Sequence, residues 1–180
     1  MTDLRILRTQ KAIQTAFIEL LEQQEFKEID VQEIAEKALI NRNTFYKHYA
    51  GKSGLVSALI NDLKQHYGEQ MRATLEHSSV MVTMQTLAEF LFQKRRLILA
   101  LWKINTRRHH LYADMENQLK SMFIAQVNLR RPNSDQDWNY QATLFANSML
   151  LTIRYYFERE QLPSFTQLAT QWHEMIDIIS

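Results

Sequence analysis

Residues 31–55 read VQEIAEKALINRNTFYKHYAGKSGL, and the rest of the chain is best read outward from them. Asp30, just before the stretch, and Glu33 inside it form a D-x-x-E capping box. The aspartate accepts from a backbone N–H of the first turn while the glutamate reaches back, so a short helix opens there and holds Ile34, Ala35 and Ala38. Leu39 and Ile40 interrupt the polar pattern. Asn41 is a good N-cap for a third helix running to about His48. Gly51 marks the next break, and a longer helix follows from about Lys52 to Leu75.

The charge of this region is unusual. Glu25, Glu28, Asp30, Glu33 and Glu36 lead up to it and Asp62 follows it, yet Lys37 to Asn61 contain no carboxylate. The formal net charge of the chain is only +1. Wound at about 100° per residue, 41–49 puts Phe45 and Tyr49 on one side. Asn43 and Lys47 then lie opposite, flanked by Arg42, Thr44 and Tyr46. One face is an apolar anchor, and the other carries hydrogen-bonding and cationic groups. Such a face suits a helix presented to the major groove, where arginine pairs with guanine and asparagine with adenine. Thr44, Tyr46, Lys47 and His48 are placed to reach phosphates.

Lys52 adds a separate argument. A cation at a helix N-terminus opposes the positive end of the macrodipole, and a phosphate bound there removes the conflict. The first helix contributes a second acid-free run, Leu4 to Ile18, with Arg5, Arg8 and Lys11 able to follow a nucleic-acid backbone. A short basic run is usually a solvated face. Phase, a cationic helix start and the missing acids together favour a polyanionic partner.

Periodicity makes the remainder helical as well. Ala12, Ile13, Ala16, Phe17, Leu20 and Leu21 form one stripe on the first helix. Ser78 and Ser79 open a helix through VTMQTLAEFLFQ, Lys94 to Arg96 form a basic break, and an apolar run ends near Ile104. RRHH (107–110) reads as a solvated connection, and Leu111 to about Leu129 returns to helical period. RPNSD (131–135) is a loop, because Pro132 cannot continue a helix. A helix over about 136–160 follows, and Ser164 with Gln167 caps the last one. With Gly 3 and Pro 2, turn-rich all-β folds are disfavoured. The fold class is all-α, about nine helices. With Cys 0 there is no disulfide framework, and neither a signal peptide nor a membrane span is apparent, so a cytoplasmic chain is expected.

At these residues the sequence resembles the tetracycline-repressor (TetR) family of transcriptional regulators. The matched features are I-A-x-x-A, then N-R-x-T-F-Y-x-H-Y, then G-K-x-x-L, within residues 8 to 60. The resemblance implies a helix-turn-helix DNA-binding domain over 1–51 and a helical regulatory and dimerisation domain over 52–180. It places base contacts at Gln32, Arg42 and Asn43, and base-edge or phosphate contacts at Thr44, Tyr46, Lys47, His48 and Lys52. Two departures stand out. Leu39 occupies the turn where the family usually has glycine, so either a left-handed backbone there is strained or the turn is reshaped. Asp30 and Val31 replace a common threonine pair.

The helix over 136–160 carries two apolar stripes and needs two partners. Trp138, Ala142, Phe145, Met149, Ile153 and Tyr156 suit the chain's own core. Leu144, Ser148, Leu151 and Tyr155, with Trp172 on the final helix, suit a second copy in an intermolecular four-helix bundle. A homodimer would match a pseudo-palindromic double-stranded operator. The resemblance also implies an effector pocket in the C-terminal helices, for which His66, Phe90, Trp102, Met115, Met122 and Phe123 are candidates. Methionine and aromatic stripes more often form core. The implied effector is a small apolar or aromatic compound, and the function a repressor released by it. A regulator or activator governed by a protein partner, and an all-α enzyme or adaptor, are the competing classes. No cofactor and no metal is implied: HEMID (173–177) lacks the second histidine of a zinc motif, and His109, His110 and Asp114 suit a solvated loop.

Overall fold

The computed structural model describes residues 4–75 and 80–179. Among these residues every regular element is a helix: α1 (Leu4–Gln23), α2 (Val31–Lys37), α3 (Arg42–Tyr46), α4 (Lys52–Leu75), α5 (Val80–Phe92), α6 (Arg95–Trp102), α7 (Leu111–Arg130), α8 (Asn139–Glu158) and α9 (Phe165–Ile179). Ser78 and Ser79, expected to open a helix, lie outside the described residues. No helix among the described residues is long and apolar enough to cross a membrane.

Local chemistry sets the ends of the short helices. The Glu33 N–H donates to Asp30 Oδ1 at 2.9 Å, and the Asp30 N–H donates to Glu33 Oε2 at 2.8 Å, completing the capping box of α2. At the other end of α2, the Ile40 N–H reaches the Ala35 carbonyl and the Leu39 N–H reaches the Glu36 carbonyl, both at 3.0 Å. This paired closure requires a left-handed residue between them. Leu39 supplies it at φ 56°, so of the two expectations the left-handed turn is kept and not reshaped. The same closure ends α8, with Glu160 at φ 55°.

Asn41 starts α3 by accepting from the Asn43 N–H at 2.8 Å. The helix stops at Tyr46 rather than His48. The Lys47 and His48 N–H groups turn to the carbonyls three residues back, Thr44 and Phe45, and the last turn tightens. Gly51, at φ 126°, makes the turn into α4 in a region that only glycine tolerates well.

The chain divides into two compact units, Met1–Lys64 with Arg96–His110, and Gln65–Arg95 with Leu111–Ser180. In the first, Ile13, Phe17 and Leu21 of α1, Ile34 of α2, Phe45 of α3, Leu55 and Val56 of α4 and Leu101 of α6 are almost wholly buried. Each such side chain contributes about 1.5–3 kcal/mol by leaving water. In the second, α7 buries Leu111, Met115, Leu119 and Met122, and α8 buries Ala142, Ala146, Met149, Leu150, Ile153 and Phe157. Helix α8 spans Asn139–Glu158, starting three residues later than the sequence suggested, after a loop that runs on through Trp138.

Candidate nucleic-acid interface

The geometry of α3 follows from one residue. Phe45 is fully buried, and Tyr49 beyond the helix end is 8% exposed, with the two ring centroids 5.8 Å apart. This anchor turns Arg42, Asn43 and Lys47 to solvent, leaves Tyr46 exposed, and keeps Thr44 and His48 half-buried. Arg42 Nη2 donates to the Tyr46 hydroxyl at 3.3 Å, and its guanidinium stands 5.6 Å from the Tyr46 ring. The pair holds the cation along the outer face of α3. On α2, exposed Gln32 donates through Nε2 to Glu36 Oε1 at 2.6 Å, one turn further along the same helix.

Lys52 is placed differently from the other expected contacts. Its ammonium donates to the carbonyls of Phe26 at 2.7 Å, Lys27 at 3.1 Å and Ile29 at 2.5 Å. It also lies 4.7 Å from the centroid of the Phe26 ring. The three donors of the ammonium are thus matched by three acceptors within the chain. The conflict between this cation and the macrodipole of α4 is relieved by the turn before α2, and Lys52 braces that turn against the start of α4. The first turn of α4 carries no acid, so its N–H end keeps its positive character.

The sequence pattern missed His109. Its connection was expected to be solvated, yet His109 is 3% exposed. Its Nε2 lies 2.9 Å from Ser57 Oγ on α4, and its ring meets Phe26 edge to face at 6.4 Å. Thr106 shapes the loop: its N–H donates to the His109 carbonyl at 2.9 Å, and its hydroxyl accepts from the His109 N–H at 3.0 Å. Burial, followed by the charges of Arg108 and His110, pushes the imidazole pKa down, against a hydrogen bond with the Ser53 backbone. Two residues that no local pattern connects, Lys52 and His109, therefore converge on Phe26 in the turn before α2.

The expected effector residues are divided between the two compact units. Trp102 is buried in the first compact unit, whereas the others belong to the second. His66 is exposed and stacks on Phe90 at 6.5 Å. Met122 is core, and Met115 touches a small cavity with Tyr67, Leu87, Gln118 and Leu150. That cavity has about 20 Å³ of free space, room for about one water. Inside it the Tyr67 hydroxyl donates to Gln118 Oε1, and burial pushes the tyrosine pKa up to about 12. Phe123 stands apart, 5.4 Å from Phe145.

Of the expected dimer residues, Leu144, Leu151 and Tyr155 are 47%, 64% and 50% exposed, and Tyr140 on the same helix is 73% exposed. Ser148 is half-buried and donates its hydroxyl to the Leu144 carbonyl at 2.7 Å. The Trp172 side chain lies outside the described residues.

Comparison with known proteins bears on the helix-turn-helix segment and on the fold. Residues 13–59 match a family model described as bacterial regulatory proteins, tetR family. The chain is 42% identical over 59 residues to an uncharacterised HTH-type transcriptional regulator, YxbF, of Bacillus subtilis. That match covers 32% of this chain and only 16% of the relative's length. Among solved structures, a TetR transcriptional regulator from Streptococcus agalactiae shares the fold with a TM-score of 0.65 at 21% identity, over 96% of this chain and 95% of that one. The fatty acid degradation regulator FadR from Bacillus halodurans shares it with a TM-score of 0.65 at 13% identity, over 93% of each chain. Residues 13–59 thus match the helix-turn-helix segment of the tetR family of bacterial regulatory proteins, and the chain shares its all-α fold with these solved structures over nearly its whole length.

Proposed function

We propose that this chain is a sequence-specific transcriptional repressor that binds operator DNA as a homodimer and is released by a small apolar or aromatic ligand. The observation that carries the reading is the outer face of α3. Arg42, Asn43 and Lys47 are exposed there around a fully buried Phe45, within a run that has no acid from Lys37 to Asn61. A helix anchored by one aromatic and bare of carboxylates offers direct readout without desolvating a like charge against phosphate.

In this reading Arg42 and Asn43 meet base edges, and Gln32 does so from α2. Thr44, Tyr46, Lys47 and His48 hold the backbone, while Lys52 positions the α4 N-terminus whose N–H groups face a phosphate. Residues 1–51 serve DNA binding, 52–180 serve regulation and dimerisation, and the protein works in the cytoplasm. The exposed stripe of Tyr140, Leu144, Leu151 and Tyr155 supports pairing with a second copy through α8. Helix α4 is the coupling element, since Lys52–Lys64 belong to one compact unit and the residues from Gln65 to the other. A ligand that prefers the DNA-incompetent spacing of two recognition helices shifts the population towards it.

Selection from a random DNA pool, followed by gel-shift titration, tests the reading. A pseudo-palindrome should be enriched, with affinity falling steeply with salt because several phosphates are contacted. Binding that never exceeds that of random DNA, at low and moderate salt, would remove the regulator from consideration.

A further inference from the structure

Helices α7 and α8 pair in opposite directions. Tyr112 meets Arg154, Glu116 meets Asn147 and Phe123 meets Phe145, so rising numbers on one helix meet falling numbers on the other, apart from a local offset. Towards the connecting loop the pairing stops being close-packed. Phe123, Val127 and Arg130, at spacings of three and four on α7, face Phe145 of α8 and Trp138 before it. With Arg131 they enclose a depression of about 320 Å³. All three aromatic residues are half-buried rather than buried.

Two contacts hold the indole wall. Trp138 Nε1 donates to Ser134 Oγ at 3.1 Å, and the Arg131 guanidinium lies 5.2 Å from the indole centroid. Neither Arg130 nor Arg131 pairs with a carboxylate among the described residues. Of the loop acids, Asp137 accepts from the Asn139 N–H at 2.9 Å, and Asp135 does not line the depression. The negative end of α7 accounts for cations at this position. It does not account for three rings converging beside them. Sites of this size, with apolar walls and a few placed polar groups, are typical of small-molecule binding.

We propose that this depression binds an organic carboxylate with an aromatic or medium-length alkyl body. The body lies against Phe123, Phe145 and Trp138, and the carboxylate pairs with Arg130 and Arg131, whose planar forks suit it. The site stays open in a dimer formed through α8. At 100° per residue, Leu144 and Leu151 project roughly 100–120° away from Phe145 on that helix. The inference assigns a place and a ligand chemistry to the ligand-controlled reading, and its regulatory meaning rests on that reading, whereas the binding event needs no DNA.

The test is titration of the 180-residue chain with 4-phenylbutyrate and with octanoate, by calorimetry and tryptophan fluorescence, against 4-phenylbutyramide and octanol. The carboxylates should bind about tenfold or more tightly than their neutral counterparts, as expected for charge-assisted hydrogen bonds. Arg130→Gln with Arg131→Gln should abolish that preference while helicity and melting stay unchanged. Trp138→Phe should lose the fluorescence change but keep the heat of binding. Equal affinity for acid and neutral analogue, no binding of either carboxylate at millimolar concentration, or an undiminished preference in the double variant overturns the site. Should the double variant unfold, Arg130→Gln alone, at an exposed helix end, decides the same question. Carboxylate binding without any selected DNA sequence would sink the regulator reading and leave the site standing.

Discussion

The Lys52 ammonium donates to the Phe26 carbonyl at 2.7 Å and lies 4.7 Å from the centroid of the same residue's ring. One side chain at the start of α4 thus holds both the backbone and the side chain of the turn that leads into α2. With the Lys27 and Ile29 carbonyls as further acceptors, it sets the angle between α4 and the recognition pair. Lys52→Met should lower unfolding free energy by about 1.5–3 kcal/mol, the range for hydrogen bonds to a charged group. It should also weaken binding to all DNA sequences alike. Denaturant unfolding beside gel shifts checks this: an unchanged midpoint with weakened DNA binding would instead give the ammonium to a phosphate.

Arg42 and Lys47 share an exposed face but should fail differently. Arg42→Ala or Asn43→Ala should cost about 1–3 kcal/mol on the selected operator and relax preference at one base position. Lys47→Ala should weaken every sequence similarly and reduce the salt slope by about 1. Binding to a panel of single-base operator variants separates the two patterns. Sequence-independent loss for Arg42→Ala would move that residue to the backbone.

Leu39 is 93% exposed and sits at φ 56°. It buries nothing in return for a left-handed conformation that costs an L-residue about 1–2 kcal/mol. Leu39→Gly should therefore stabilise the chain by about 0.5–1 kcal/mol, the relief being partly offset by the greater unfolded freedom of glycine. A lowered melting temperature would mean that the leucine makes a contact in solution that the fold does not explain.

His109 couples the same region to pH. Its pKa is depressed in the folded chain by burial and by Arg108 and His110, so the unfolded chain takes up the proton first. The contribution is present in full above about pH 6.5, the ordinary histidine value, and is lost as pH falls through the lower folded value. Unfolding midpoints at pH 7.5 and 5.5 should therefore diverge in the native chain. His109→Gln should narrow the difference, and an identical difference in both proteins would show that other groups carry it.

Leu151 is 64% exposed in a stripe with Leu144 and Tyr155. Leu151→Glu should convert a dimer to a monomer in sedimentation at micromolar concentration, because two carboxylates would meet across a two-fold apolar seam. Its helicity should persist, since the side chain lies outside the chain's own core. A monomeric native chain under those conditions would dispose of the pairing.

Much of the helical layout was legible from residue order. The capping box at Asp30 and Glu33, the cap at Asn41 and the Phe45 anchor depend on residues within about one turn of each other, and local pattern reports such relations faithfully. The exact end of α3 was not, because tightening of its last turn at Lys47 and His48 leaves no mark in hydrophobic periodicity. The effector candidates were chosen as apolar residues at helical spacing, a property shared by core and pocket alike. Packing places Met115 and Met122 in the core, His66 at the surface against Phe90, and Phe123 at the α7–α8 depression.

Composition and short-range pattern were enough for an all-α chain with an acid-free recognition helix, since helix period, capping and charge are written within a few residues. Tertiary packing alone assigned Lys52 and His109 their partners. The acceptors of Lys52 lie 23 to 26 residues back along the chain, and Ser57 is 52 residues from His109. Over such separations a lysine before a helix reads equally well as a phosphate ligand or an internal brace. Which it becomes depends on whether folding brings backbone carbonyls within its reach, as the turn before α2 does here.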